Sequence, residues 1–128
     1  MSPSDHERLA RRFADEMAGA VDVGLRVHAG ACEVCAEAEA ILRETTSLAN
    51  GLALRVDTGG ALVPEIRLEG AARGEVRFFG LPSGYEFPAL IDSIVAVSTG
   101  RTKLATETLA RVSTIQRRVH LQVFTTPT

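Results

Sequence analysis

Ala31-Cys32-Glu33-Val34-Cys35-Ala36-Glu37-Ala38 holds the only two cysteines of the chain, separated by two residues. An alternating run precedes it: Val21, Val23, Leu25 and Val27 are apolar, with Asp22, Gly24, Arg26 and His28 on the other face. That period of two predicts a strand. Behind the cysteines Val34, Ala38, Ile41 and Leu42 recur at helical spacing. The stretch therefore reads as strand, short turn, then Cys-x-x-Cys at a helix start. A helix start leaves its first amides unpaired and carries partial positive charge, which favours an anion. A thiol placed there has its pKa lowered, to about 3.5–7.5 in known cases. A second sulfur one turn later is close enough to resolve a mixed disulfide. The expectation is a redox-active Cys32–Cys35 pair, with Cys32 attacking and Cys35 resolving from a more buried position. Glu33 suits a helix start but disfavours a neighbouring thiolate. Taken alone, the pair also fits two small buried residues, or half of a zinc site. Zinc normally takes four donors, and the remaining candidates, His6, His28 and His120, are scattered.

The bulk numbers set the class. At 128 residues the chain is long enough for one domain with its own core. It is 45% apolar and 23% charged, which is ordinary for a globular protein. A net charge of −2 argues against nucleic-acid binding through a basic surface. One tyrosine and no tryptophan leave little for base stacking. The longest uncharged stretch, Ser93 to Arg101, is too short and too polar to span a bilayer. Asp5, His6, Glu7 and Arg8 stand where a signal peptide needs an apolar segment. The expected location is cytoplasmic, where a close cysteine pair is catalytic or metal-binding more often than structural.

Ser4-Asp5-His6-Glu7 has the pattern of a capping box, opening a helix to about Gly19 with Leu9, Phe13 and Met17 on one stripe. The helix behind the cysteines runs to about Leu48, and Asn50-Gly51 turns the chain into a short strand, Leu52 to Val56. The two strands of such a unit run parallel. Glu65 to Glu69 and Glu75 to Phe79 alternate apolar and charged residues across a hairpin-length link. Ser83-Gly84-Tyr85-Glu86 resembles a second capping box. The helix it opens carries Phe87, Leu90, Ile91, Ile94 and Val97 inward, tolerates Pro88 in its first turn, and stops near Gly100. A last helix is expected over roughly Thr102 to Arg117, and a last strand over Val119 to Phe124.

This α, βαβ, ββα order is the arrangement of the thioredoxin and glutaredoxin fold, an α/β fold built on a four-stranded mixed sheet with flanking helices. In that fold the third strand begins with a proline whose preceding peptide bond is cis and which packs against the cysteine pair. Val63-Pro64 stands in that place. X-Pro is the context in which a cis bond is cheap, and the Val63 backbone is then free to pair with an extended substrate. A proline that merely starts a strand is the alternative. Only six residues separate Asp57 from Pro64, so the second crossover helix of a standard thioredoxin is missing. Six extended residues reach about 20 Å, enough to cross two strand spacings of roughly 10 Å in all. The sheet should then show a patch with no helix over it, to be covered by another element or another chain. His28 is a candidate proton shuttle and Asp57 a candidate buried base. A solvated histidine and an exposed carboxylate are the plainer readings.

Val76-Arg77-Phe78-Phe79-Gly80-Leu81-Pro82-Ser83-Gly84-Tyr85-Glu86-Phe87, followed by Leu90-Ile91-Asp92-Ser93-Ile94-Val95 and Val97-Ser98, resembles the first unit of the glutaredoxin-like protein disulfide oxidoreductases. Those proteins carry two thioredoxin-fold units in tandem. The N-terminal domain of the alkyl hydroperoxide reductase flavoprotein is similar and also has the shortened link, but its first unit lacks the cysteines. The resemblance covers nearly the whole chain. It implies a thioredoxin-like unit over 1–100, a linker helix over 101–118, and an orphan strand over 119–128 that looks like the start of a second unit. It implies thiol–disulfide exchange with protein substrates and a reductase of the thioredoxin reductase type, with no cofactor besides the Cys32–Cys35 disulfide. The alternatives are a non-catalytic docking module and an electron relay serving a peroxidase. The orphan strand offers an unpaired edge, through which a second copy would make a homodimer.

Overall fold

The computed structural model describes residues 1–125. Helix α1 (Pro3–Glu16) leads into β1 (Val21–Val27), α2 (Glu33–Thr46) and β2 (Leu52–Thr58). Then come β3 (Glu65–Glu69), β4 (Val76–Phe79), α3 (Glu86–Thr99) and a short α4 (Thr106–Val112). The four strands form one sheet in the order β2-β1-β3-β4, with β1 parallel to β2 and antiparallel to β3, and β3 antiparallel to β4. This is the mixed sheet read from the sequence, and β1 is its central strand on the cysteine side.

One face of the sheet makes the core. Val21, Val23, Leu25, Leu52, Ile66 and Leu68 pack there against Leu9 and Phe13 of α1, Ala38 and Leu42 of α2, and Leu90, Ile91, Ile94 and Val97 of α3. All three packed helices contribute to this single core, so the molecule has two layers. Two backbone approaches hold the layers close. Ser98, buried on α3, accepts from the amides of Ala18 and Gly19 at 2.8 and 3.0 Å and donates to the Gly19 carbonyl at 3.0 Å. At Gly70 an added Cβ would meet Val97 Cγ1 at 2.9 Å and the Ala20 carbonyl at 3.0 Å, so only glycine fits between β3 and α3.

The other face carries no helix among the described residues, as the missing crossover predicts. It does not need the cover expected for it, because it is charged in bands. The register aligns Arg55, Gly24, Arg67 and Arg77 across the four strands. One step along each strand, Ala53, Asp22 and Glu69 line up, with Glu75 just beyond β4. On the other side lie Asp57, Arg26, Glu65 and Phe79. Gly24 and Ala53 floor a trough of about 260 Å³ between longer side chains. Arg67 reaches Glu75 at 3.4 Å and Glu69 at 3.8 Å, so the bands pair within the chain. Such a face is stable against water, unlike the apolar patch that would demand a partner.

Several local expectations are corrected. The first helix begins two residues earlier than the Ser4 box implies: Ser2 is the N-cap and Asp5 its partner, with the Asp5 amide donating to Ser2 Oγ at 3.2 Å. Pro3 explains the shift, since its fixed φ suits the first helical position. Ser83 caps nothing. Tyr85 is the N-cap of α3 without a side-chain bond, and Gly84 at φ +57° makes the preceding turn instead. The last helix shrinks from Thr102–Arg117 to Thr106–Val112 and buries no residue. Val119 to Thr125 form no strand in the single chain and stay exposed. The remainder of the expected 119–128 segment, residues 126–128, lies outside the described residues. No helix among the described residues is long and apolar enough to cross a membrane.

Candidate redox site

α2 starts at the cysteines because Cys32 itself is the N-cap. Its backbone is extended (φ −152°, ψ 99°) and its Sγ accepts the Cys35 amide hydrogen at 3.2 Å. The helix then closes its first backbone bond, Ala36 N–H to Cys32 C=O, at 3.1 Å. Three residues is nearly one turn, so the two sulfurs meet: Cys32 and Cys35 form a disulfide with Cα atoms 5.2 Å apart. Cys32 is half-buried, whereas Cys35 is 3% exposed and packs inward. A nucleophile attacking this bond therefore reaches Cys32 first. Among the described residues no group of three or more His, Cys, Asp or Glu side chains is placed to hold a metal.

The sheet brings the second predicted element to the same end. β1 leads into the cysteine turn, and its partner β3 starts there, with Arg26 opposite Glu65. Continuing that register one step sets Pro64 beside Val27. The Val63–Pro64 peptide bond is cis, Pro64 is buried and Val63 half-buried. The Gly80 amide donates to the Pro64 carbonyl at 2.9 Å, and the Gly59 amide to the Val27 carbonyl at 3.0 Å, which ties the loops around this rim. Val34 within the cysteine motif, Leu62 before Pro64, Phe79 at the end of β4 and Tyr85 before α3 are large apolar side chains left exposed.

The two other candidates separate. Asp57 is exposed on β2 and is not the buried carboxylate suggested for it. His28 is exposed in the turn before Cys32, its Nδ1 accepting the Gly30 amide hydrogen at 3.0 Å. The buried carboxylate of this region is Glu65, 5% exposed, which sequence reading treated as a solvent-facing strand residue. Arg26 donates to its Oε2 at 3.3 Å, while Arg77 and Arg67 stand 3.5 and 3.7 Å from Oε1 without bonding it. The available signal was the arginines at 26, 67 and 77, which the strand pairing places around one glutamate.

No protein-family signature matches the chain, and no curated protein matches its sequence. Solved structures do match. The alkylhydroperoxide reductase AhpF of Enterococcus faecalis aligns with a TM-score of 0.76 at 21% identity, over 88% of this chain and 59% of that one. The NTD_N/C domain of the same reductase gives 0.75, also at 21% identity and with the same coverage, 88% and 59%. A protein disulfide oxidoreductase from Aeropyrum pernix gives 0.74 at 23% identity, over 91% of this chain and 56% of that one. This chain has a thioredoxin fold. The fold accounts for the strand order, and within it the cysteines stand at the start of α2 and Pro64 just before β3. The chain spans less than two thirds of the length of each of these structures.

Proposed function

We propose that the chain is a thiol–disulfide exchange unit acting on protein thiols and disulfides. The observation that carries this reading is the asymmetry of the pair: a half-exposed Cys32 at the helix start, cross-linked to a buried Cys35. In the reduced form the Cys32 thiolate attacks a substrate disulfide, forming a mixed disulfide and releasing one substrate thiolate. The Cys35 thiolate then attacks Cys32 Sγ, which re-forms the Cys32–Cys35 bond and releases the second substrate thiolate. Two electrons pass to the substrate, and a dithiol reductase of the thioredoxin reductase type returns them. Val63 and Pro64 shape the groove beside the pair, with the Val63 backbone pairing an extended substrate. Cytoplasmic residence, where such a pair is cycled rather than locked, fits the use of cysteine only here.

Cys35→Ser tests this directly. The variant is expected to accumulate a mixed disulfide through Cys32 when mixed with a disulfide-bonded protein such as insulin, and Cys32→Ser to accumulate none. Equal trapping by both variants, or by neither, refutes the reading. The likeness to a peroxide-reducing system's reductase supports a second reading, an electron relay. A relay would be reduced by a reductase and oxidised by a peroxidase while leaving insulin untouched. In a docking module that does not turn over, Cys32 would titrate near the free-thiol value of about 8.5.

A further inference from the structure

Between β1 and α2 the chain turns through His28-Ala29-Gly30-Ala31. The His28 ring folds back on this turn, and Nδ1 takes the Gly30 amide hydrogen at 3.0 Å. Among the described residues this is the only hydrogen bond made by residues 29–31. An imidazole nitrogen accepts only when it carries no hydrogen, so this bond calls for the tautomer with its hydrogen on Nε2. The fit is close. A Cβ on residue 30 would meet Nδ1 at 3.3 Å and Cε1 at 3.4 Å, so the bare glycine makes room for the ring. The φ of Gly30 is not positive, so space rather than backbone freedom is what glycine supplies here. The histidine does what asparagine does in an Asx turn, where a side-chain acceptor takes the amide two residues on.

We propose that His28 is a positioning residue for Cys32: its ring, clasped to the Gly30 amide, holds the turn that keeps Cys32 Sγ over the first amides of α2. The inference rests on the exchange reading and names the group that tunes its nucleophile. Cys32 gains from the helix start only while its sulfur faces those amides, as it does in accepting from the Cys35 N–H at 3.2 Å. Four residues separate the ring from the sulfur, and without the clasp nothing polar fixes the turn between them.

The test uses the reduced full chain with iodoacetamide as the probe, following Cys32 alkylation by mass spectrometry across a pH series. His28→Ala removes the acceptor, Gly30→Ala pushes the ring away, and His28→Asn restores an acceptor of the right reach. His28→Ala and Gly30→Ala are expected to alkylate at neutral pH at least about threefold more slowly, with the profile moved to higher pH, a part of the help a helix start gives an anion. His28→Asn is expected to stay within about twofold of wild type, as an Asx turn would. Coincident wild-type and His28→Ala profiles overturn the clasp, and so does a His28→Asn profile as slow as that of His28→Ala. If His28→Ala does not fold, Gly30→Ala and His28→Asn decide. A wild-type Cys32 that titrates as a free thiol refutes the exchange reading instead, and the comparison among variants still judges the clasp.

Discussion

A single glutamate shows how neighbours, rather than residue type, decide where a charge sits. Glu65 alternates with Ile66 and Leu68 as any outward strand residue would. It is nonetheless buried, because arginines from β1, β3 and β4 close over it. Removing it would leave three guanidinium groups facing one another. Those groups are each about a third or more exposed, so the cost is below that of a fully buried pair. Glu65→Ala is expected to destabilise the fold by about 1–3 kcal/mol in urea unfolding. Restoring stability by also replacing Arg26 with methionine would show that the cost is the uncompensated charge. The cysteine pair was legible from sequence because two thiols at this spacing before a helix pattern have few other uses. The buried carboxylate was not legible, because alternation states which face a residue is on and says nothing about what stands beside it in the next strand.

At the level of elements, the fold depends on how the helices are fastened to the sheet. The Ser98 hydroxyl serves two amides and one carbonyl at the end of α1. Ser98→Ala leaves the Ala18 and Gly19 amides without their protein acceptor where solvent reaches them in part, and is expected to cost about 1 kcal/mol, more than replacing an exposed serine such as Ser83 would. Arg12 of α1 also clasps Asp92 of α3, and this hydrogen bond holds the Asp92 carboxyl below its usual range, with burial opposing more weakly. A folded-state value below the unfolded one, about 3.9, gives stability that is present above that pH and lost as pH falls through the folded value. Asp92 is 56% exposed and Arg12 30%, so solvent screening holds the contribution to at most about 1 kcal/mol. Asp92→Asn should therefore melt lower than wild type at neutral pH, with the gap closing in strong acid. The strands, α2 and α3 could be read from period and turn residues, since burial enforces those patterns. Helix starts were harder: Ser2 and Ser4 both fit a cap, and Pro3 decides between them. α4 was overestimated because Leu104, Leu109, Val112 and Ile115 keep helical spacing but stay exposed and join no core among the described residues.

For the molecule as a whole, the described part of the chain divides into a packed body and an exposed end. Every described residue from 101 onward is exposed. A chain ending at Gly100 should unfold within about 0.5 kcal/mol of the full chain, the range of surface changes. A larger loss would mean that residues 101–128 are covered in solution, for instance by a second copy pairing with the segment after α4, and light scattering on the full chain would then report a dimer. The banded face of the sheet has a different consequence. Residues two apart on a strand lie about 6.6 Å from each other, so adjacent bands are nearer than the screening distance of about 8 Å in physiological salt. Seen from further away, Asp22, Asp57, Glu65, Glu69 and Glu75 nearly cancel Arg26, Arg55, Arg67 and Arg77, leaving one net negative charge. The face thus has almost no far field despite its density of charge. It cannot draw an approaching molecule in or turn it to the right orientation, so encounters there proceed at the unsteered rate of about 10⁵–10⁶ M⁻¹s⁻¹. Only a surface already within contact distance can read the pattern.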